Sequence, residues 1–150
     1  MFKVENEKCF ICEKHNNGTD IVFQDSLVSV SHLVRRLDKS DNYLGYYMVE
    51  SIRHFRGMYD ATEEEMAAIG KMLKVLSKAL MDVLDAAHVY AFVIGEGLDH
   101  FHVHVVARYK DAPREYWGPS VDDWPDAPRG TLEDVKKLNE NIRTEISKSY

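Results

Sequence analysis

The chain has 150 residues, 45% of them hydrophobic and 29% charged, which suits one soluble domain with a core of its own. A net charge of −6 excludes a broad basic face for general nucleic-acid binding, but not a small anionic ligand held by local charge. No run approaches the roughly 18 apolar residues of a membrane span, and the first eight residues lack the apolar stretch of a secretory signal, so a cytoplasmic protein is expected.

The only two cysteines, Cys9 and Cys12, stand as Cys-x-x-Cys. In a reducing compartment that spacing suits a metal half-site or a redox pair better than a structural disulfide, and two buried small apolar side chains are the plainer reading. Residues 9–20 read as a knuckle and loop. Short strands are expected over 21–23 and 27–33, split by the turn-like Gln24-Asp25-Ser26. A polar loop over 35–42 precedes a third strand over 45–49, which leads into Ser51-Ile52-Arg53-His54.

Thr62 and Glu65 have the spacing of a capping box. Behind them Met66, Ile69, Leu73, Leu76, Leu80 and Val83 recur at three- and four-residue steps, predicting a long amphipathic helix to about Ala86. That stripe suits a core or dimer face. A buried strand over 89–94, a turn at Gly95-Glu96-Gly97 and a strand over 101–106 follow. All four prolines and both tryptophans fall in an irregular segment from Arg108 to Gly130. A last helix over 132–146 carries Leu132, Val135, Leu138, Ile142 and Ile146 on one face. The expectation is a single α+β domain over 1–150: knuckle and first strands over 9–54, the long helix over 62–86, core strands over 89–106, and a tail with a helix over 108–150.

His100, His102 and His104 alternate with Phe101, Val103 and Val105. A strand has period two, so the three imidazoles share one face and the apolar side chains the other. Three satisfied core histidines are one explanation. Three ligands of a single metal are another, but His100 and His104 would stand roughly 13 Å apart along a strand, whereas zinc–nitrogen bonds are about 2.0–2.1 Å. Division of labour among the three accounts for the pattern better.

This alternation, ending in Val105-Val106, resembles the signature of the histidine triad nucleotide hydrolases and transferases. The resemblance extends to the Cys9–Cys12 knuckle, the strand ending at Arg53-His54 and the capped helix at Thr62. It implies the family's fold, an antiparallel sheet with one long helix packed on it and a C-terminal helix. It also implies a nucleotidyl hydrolase or transferase acting at the α-phosphate of dinucleoside polyphosphates or nucleoside phosphoramidates, and a homodimer. His102 maps to the nucleophile that forms a nucleotidyl-histidine, and His104 to the residue that orients phosphate and nucleophile.

The Cys-x-x-Cys further resembles a zinc-bearing subgroup, implying a structural zinc held by Cys9, Cys12, His54 and His100. His15 and His32 are rival ligands. Arg108 and Arg114 are candidates to balance phosphate charge, and Asp99 to line the substrate site by orienting a histidine. The aromatic residues of the tail, Trp117 and Trp124 among them, either cover a base or pack against protein. Tyr46 departs from the family's usual histidine, and acidic Glu96 and Asp99 stand where a phosphate-binding Gln or Ser is common. These departures leave a second reading open, a zinc-stabilised nucleotide-binding module with little turnover.

Overall fold

The computed structural model describes residues 9–18, 20–34 and 41–150. Its main element is a five-stranded antiparallel sheet in the order β1-β2-β4-β6-β5. The strands are β1 Ile21–Gln24, β2 Val28–His32, β4 Tyr46–Ser51, β5 His88–Phe92 and β6 His102–Arg108. A second, two-stranded sheet pairs β3 Asn42–Tyr43 with β7 Arg129–Gly130. The helices are α1 Phe10–Asn17, α2 Glu63–Leu84 and α3 Leu132–Ser147. Among the described residues, no helix is long and apolar enough to cross a membrane.

The period-two pattern divides the sheet into two unlike faces. Val28, Val30, Tyr47, Val49, Val103 and Val105 point to one side, where Ile69, Met72, Leu76 and Leu80 of α2 and Leu138, Ile142 and Ile146 of α3 complete the main core. Burying each of these side chains contributes about 1.5–3 kcal/mol. Ser29, Ser31, Met48, Glu50, His102 and His104 therefore face the opposite side, with Met48 beside His104 and Glu50 beside His102 in the β4–β6 register. One end of that face is covered by the proline-rich segment, where Val121, Trp124 and Ala127 pack on Tyr43, Tyr46, Met48 and Val106.

The long helix begins as its capping box requires. Glu65 N–H donates to Thr62 Oγ1 at 3.1 Å, and Thr62 N–H donates to Glu65 Oε2 at 2.8 Å. The same device, Thr131 with Asp134, starts α3. Gly45 turns the chain between β3 and β4 with φ +100°, a left-handed conformation, and a Cβ there would come within 2.7 Å of Leu84 at the end of α2.

Four expectations are corrected. The knuckle-and-loop segment contains α1, whose first turn is capped by Cys9 Sγ accepting from Cys12 N–H at 3.5 Å, and which ends on left-handed Gly18. The strand placed at 89–94 is β5, and it is not buried: among the described residues it pairs with β6 alone, forms the sheet edge, and leaves Val93 and Ile94 exposed beyond it. Strand β6 starts at His102, so His100 and Phe101 belong to the preceding turn. The loop expected over 35–42 gives way to β3 at Asn42, while residues 35–40 lie outside the described ones.

Candidate functional site

Two clusters lie on the histidine face, joined through a single residue. The first is Cys9, Cys12, His54 and His100, whose ligating atoms all lie within 4.8 Å of one another. Helix α1 presents both sulfurs from its first turn. His54 follows β4, in a segment tied to the turn before β6 by the hydrogen bond from Phe101 N–H to Phe55 O at 2.6 Å and by stacking of Phe55 on Phe101.

His100 Nδ1 is 3.5 Å from Cys9 Sγ and 3.4 Å from Cys12 Sγ, and His54 Nδ1 is 3.4 Å from Cys12 Sγ. Bonds of about 2.3 Å to sulfur and 2.0–2.1 Å to nitrogen give a tetrahedron with sulfur–nitrogen edges of about 3.5 Å. The donor set fits a tetrahedral zinc ion. His100 Nε2 donates to Ser51 O at 2.6 Å, which leaves the Nδ1 lone pair for the cluster. Burial pushes His100 down to about 4, so it is a neutral donor near pH 7. Burial and then the neighbouring Cys9 push the Cys12 thiol up to about 11, the proton a cation must displace.

Both rival ligands are engaged elsewhere. His15 Nε2 meets Glu50 Oε2 at 2.8 Å. His32 donates from Nδ1 to Leu33 O at 2.8 Å and accepts at Nε2 from Gly45 N–H at 3.1 Å.

The second cluster is His102, His104 and Tyr46. His102 Nδ1 lies 2.6 Å from the carbonyl oxygen of His100, and since a carbonyl only accepts, Nδ1 carries the proton. The Nε2 lone pair is left for chemistry. His104 stands next on the same face with ring centres 4.9 Å apart, and its Nδ1 meets the Tyr46 hydroxyl at 2.9 Å. Tyr46, a departure from the family pattern in sequence, thus contacts the outer histidine of the strand.

Beside these clusters is a group that the sequence reading missed. Glu50 is buried in β4 between His15 and Lys14, and Lys14 Nζ also donates to Ser31 Oγ at 2.8 Å. Burial alone would raise the Glu50 carboxyl, but the His15 hydrogen bond and the Lys14 charge outweigh it and hold it below the ordinary carboxylate range. Lys14, Ser31 and Glu50 line a cavity of about 380 Å³ whose other walls include Phe10, Ile11, Leu33, Val34, Met48 and Leu98. The signal available in sequence was a lone acid inside an otherwise apolar strand.

The remaining sequence candidates are Asp99, Arg108 and Arg114. Asp99 is exposed, with one carboxylate oxygen 3.6 Å from Arg56 Nε. Arg108 ends β6 six residues beyond His102, about 20 Å along a strand. Its guanidinium sits 3.9 Å from the centre of the Trp117 ring, and that of Arg114 sits 5.5 Å from it. Trp124 is buried against the sheet, whereas Trp117 is 42% exposed.

No family model matches the chain, and no curated protein matches it. Solved structures do. The chain is similar to a hypothetical histidine triad nucleotide-binding protein from Sulfolobus tokodaii (TM-score 0.72, 20% identity, 93% of each chain covered). It is also similar to a zinc-bound histidine triad family protein from Mycobacterium smegmatis (TM-score 0.68, 13% identity, 95% of each chain). A third likeness is to the diadenosine triphosphate hydrolase of Plasmodium falciparum (TM-score 0.62, 11% identity, 86% of this chain and 77% of that one). These likenesses establish the fold of the chain as that of the histidine triad proteins.

Proposed function

We propose that this chain, which has the histidine triad fold, is a nucleotide hydrolase or nucleotidyl transferase with His102 as its nucleophile. The observation that carries the reading is the hydrogen bond of His102 Nδ1 to the His100 carbonyl, because it commits the ring to the tautomer with a nucleophilic Nε2. The Nε2 lone pair attacks the α-phosphorus, and the bond from phosphorus to the leaving group breaks. The leaving oxygen or amine departs with the electron pair and takes up a proton. Water, or an acceptor alcohol or amine, then attacks the nucleotidyl-histidine, loses its own proton and returns the pair to Nε2. His104, hydrogen-bonded to Tyr46, stands where it can position the phosphate during both displacements.

Dinucleoside polyphosphates and nucleoside phosphoramidates are the substrate class. The fold likeness to a diadenosine triphosphate hydrolase is consistent with it. The cavity lined by Phe10, Lys14 and Met48 is of a size suited to a nucleoside, about 300–1,000 Å³ being usual for small-molecule sites. Zinc in this reading is structural: Cys9, Cys12, His54 and His100 fill all four positions and leave none for water. The edge strand β5, with exposed Val93 and Ile94 beyond it, offers a surface for the homodimer.

The experiment is a screen of dinucleotides and adenylated amines for mononucleotide release, with mass spectrometry of the His102 peptide after a mild alkaline quench. A nucleotide mass on that peptide is the expected result. Release with no adduct, and with full activity retained by His102→Ala, would overturn the reading.

A further inference from the structure

The cavity on the histidine face is lined by Glu50 and Met48, the β4 neighbours of His102 and His104, and is not polar all round. Apolar walls meet a polar lining of Glu13, Asn17, Asp20 and His32, and of Lys14, Ser31 and Glu50, which are hydrogen-bonded to one another. Of the three ammonium hydrogens of Lys14, one goes to Ser31 Oγ and one to Glu50 Oε1. Ser31 Oγ accepts from Lys14, and its own hydroxyl hydrogen has no acceptor among the described residues. Two donors separated by 2.8 Å are therefore unspent at the same end of the cavity. Both Glu50 oxygens are occupied, by Lys14 and His15, and its side chain is only 1% exposed.

Two adjacent donors call for a ligand atom with two lone pairs and no hydrogen. A carbonyl oxygen meets that need, since it accepts two hydrogen bonds. A ring nitrogen accepts one and leaves the other donor unmatched. An exocyclic amine brings hydrogens toward an ammonium that has no lone pair, finds only the second lone pair of Ser31 Oγ to accept one of them, and leaves the Lys14 hydrogen unmatched, which is costly when buried. The apolar walls, Phe10 among them, suit a heterocycle.

We propose that Lys14 and Ser31 form a base-reading pair that selects the 6-oxo group of guanine and the 4-oxo group of uracil over the 6-amino group of adenine and the 4-amino group of cytosine. This inference rests on the nucleotide reading above and names the substrate class within it. Glu50 and His15 are positioning residues here. Glu50 neutralises and fixes the Lys14 ammonium, and His15 holds the other oxygen of Glu50.

The test is calorimetric titration of the zinc-bound protein with GMP, AMP, UMP and CMP, alongside kcat/KM for guanosine and adenosine 5′-phosphoramidates. The two pyrimidines differ by an oxo-for-amino exchange at C4 alone, and the two purines by the same exchange at C6 together with the 2-amino group of guanine, so the pyrimidine pair isolates the oxo group. GMP is expected to bind at least about ten-fold tighter than AMP, and UMP than CMP, with kcat/KM following the same order. Ser31→Ala keeps the Lys14–Glu50 pair and should reduce the preference several-fold by weakening GMP and UMP alone. Lys14→Met should abolish it, and Ser31→Ala keeps the test valid if that variant does not fold. Equal affinities, a preference for AMP and CMP, or a preference that follows ring size instead of the oxo group would overturn the inference and leave the nucleotide reading standing. Failure of all four nucleotides to bind would overturn both.

Discussion

The carbonyl oxygen of His100 lies 2.6 Å from Nδ1 of His102, while the imidazole of His100 turns its own Nδ1 toward Cys9 and Cys12. One residue serves both clusters, with its backbone holding the tautomer of His102 and its side chain joining the thiols. Alternation along a strand would have spread the three rings evenly. Because β6 begins only at His102, His100 is free to follow the turn toward α1.

His102→Ala should lower mononucleotide release by at least about a thousand-fold, since the lost group forms the covalent bond. The melting temperature should change little, as His102 sits on the face away from the main core. Steady-state turnover on the best substrate, with a thermal scan of both proteins, checks this. A variant within ten-fold of the parent would exclude covalent catalysis at this position.

Much of this arrangement was legible in the sequence, and for identifiable reasons. Period two placed Phe101, Val103 and Val105 in the core and the histidines opposite them, and a three- and four-residue stripe behind a capping box marked α2. Cys9, Cys12, His54 and His100 were grouped by family resemblance, because His54 and His100 are too distant in sequence for spacing to join them. What stayed hidden depends on tertiary contacts. Helix α1 has only eight residues and a thiol as its cap, so neither length nor a usual capping residue announces it. The edge position of β5 follows from strand order, which local apolarity does not reveal. Glu50 was visible as an acid in an apolar strand, but Lys14, His15 and Ser31, its surroundings, come from two other elements.

Tyr46→Phe removes the hydroxyl 2.9 Å from His104 Nδ1 and leaves the ring packed with Tyr43 and Val106. One hydrogen bond contributes about 0.5–1.5 kcal/mol, so kcat/KM should fall roughly two- to ten-fold. The pH–rate profile should shift with it, because the hydroxyl contacts a titratable ring. An unchanged rate and an unchanged profile would remove His104 orientation by Tyr46 from the mechanism.

His32 supplies a pH dependence of stability. Burial pushes it down to about 4, against hydrogen bonds that act the other way, while the unfolded chain has a histidine near 6.5. Between those values the unfolded state binds more protons, so stability is full above about pH 6.5 and declines as pH falls toward 4. The His32 share of the loss between pH 7 and pH 5 is about 2 kcal/mol. Urea unfolding at both pH values should show that difference shrinking by this amount in His32→Leu, whatever its absolute stability. An equal difference in both proteins would mean that His32 titrates normally.

Removing the metal should weaken the fold more than the chemistry. We expect about one zinc per chain in protein made with ample zinc, and in Cys9→Ser both a reduced zinc content and a melting temperature lower by more than about 5 °C. The sulfurs and His54 fasten α1 and the segment after β4 to the turn that carries the His100 carbonyl, so loss of the ion loosens the hydrogen bond to His102 without removing the nucleophile. At about 1.4 kcal/mol for such a bond, chelation below the melting temperature should cost roughly ten-fold in kcat. Metal-activated water would behave otherwise, with activity vanishing in proportion to zinc and no intermediate on His102. Nitrogen-15 NMR of the imidazoles gives a readout independent of turnover. The zinc-loaded protein should show His102 protonated at Nδ1, and the chelated protein a mixture of tautomers. If the tautomer stays fixed and the rate stays whole after zinc is gone, the carbonyl is held by Ser51 and the Phe55–Phe101 contacts alone, and His100 does not couple the two clusters.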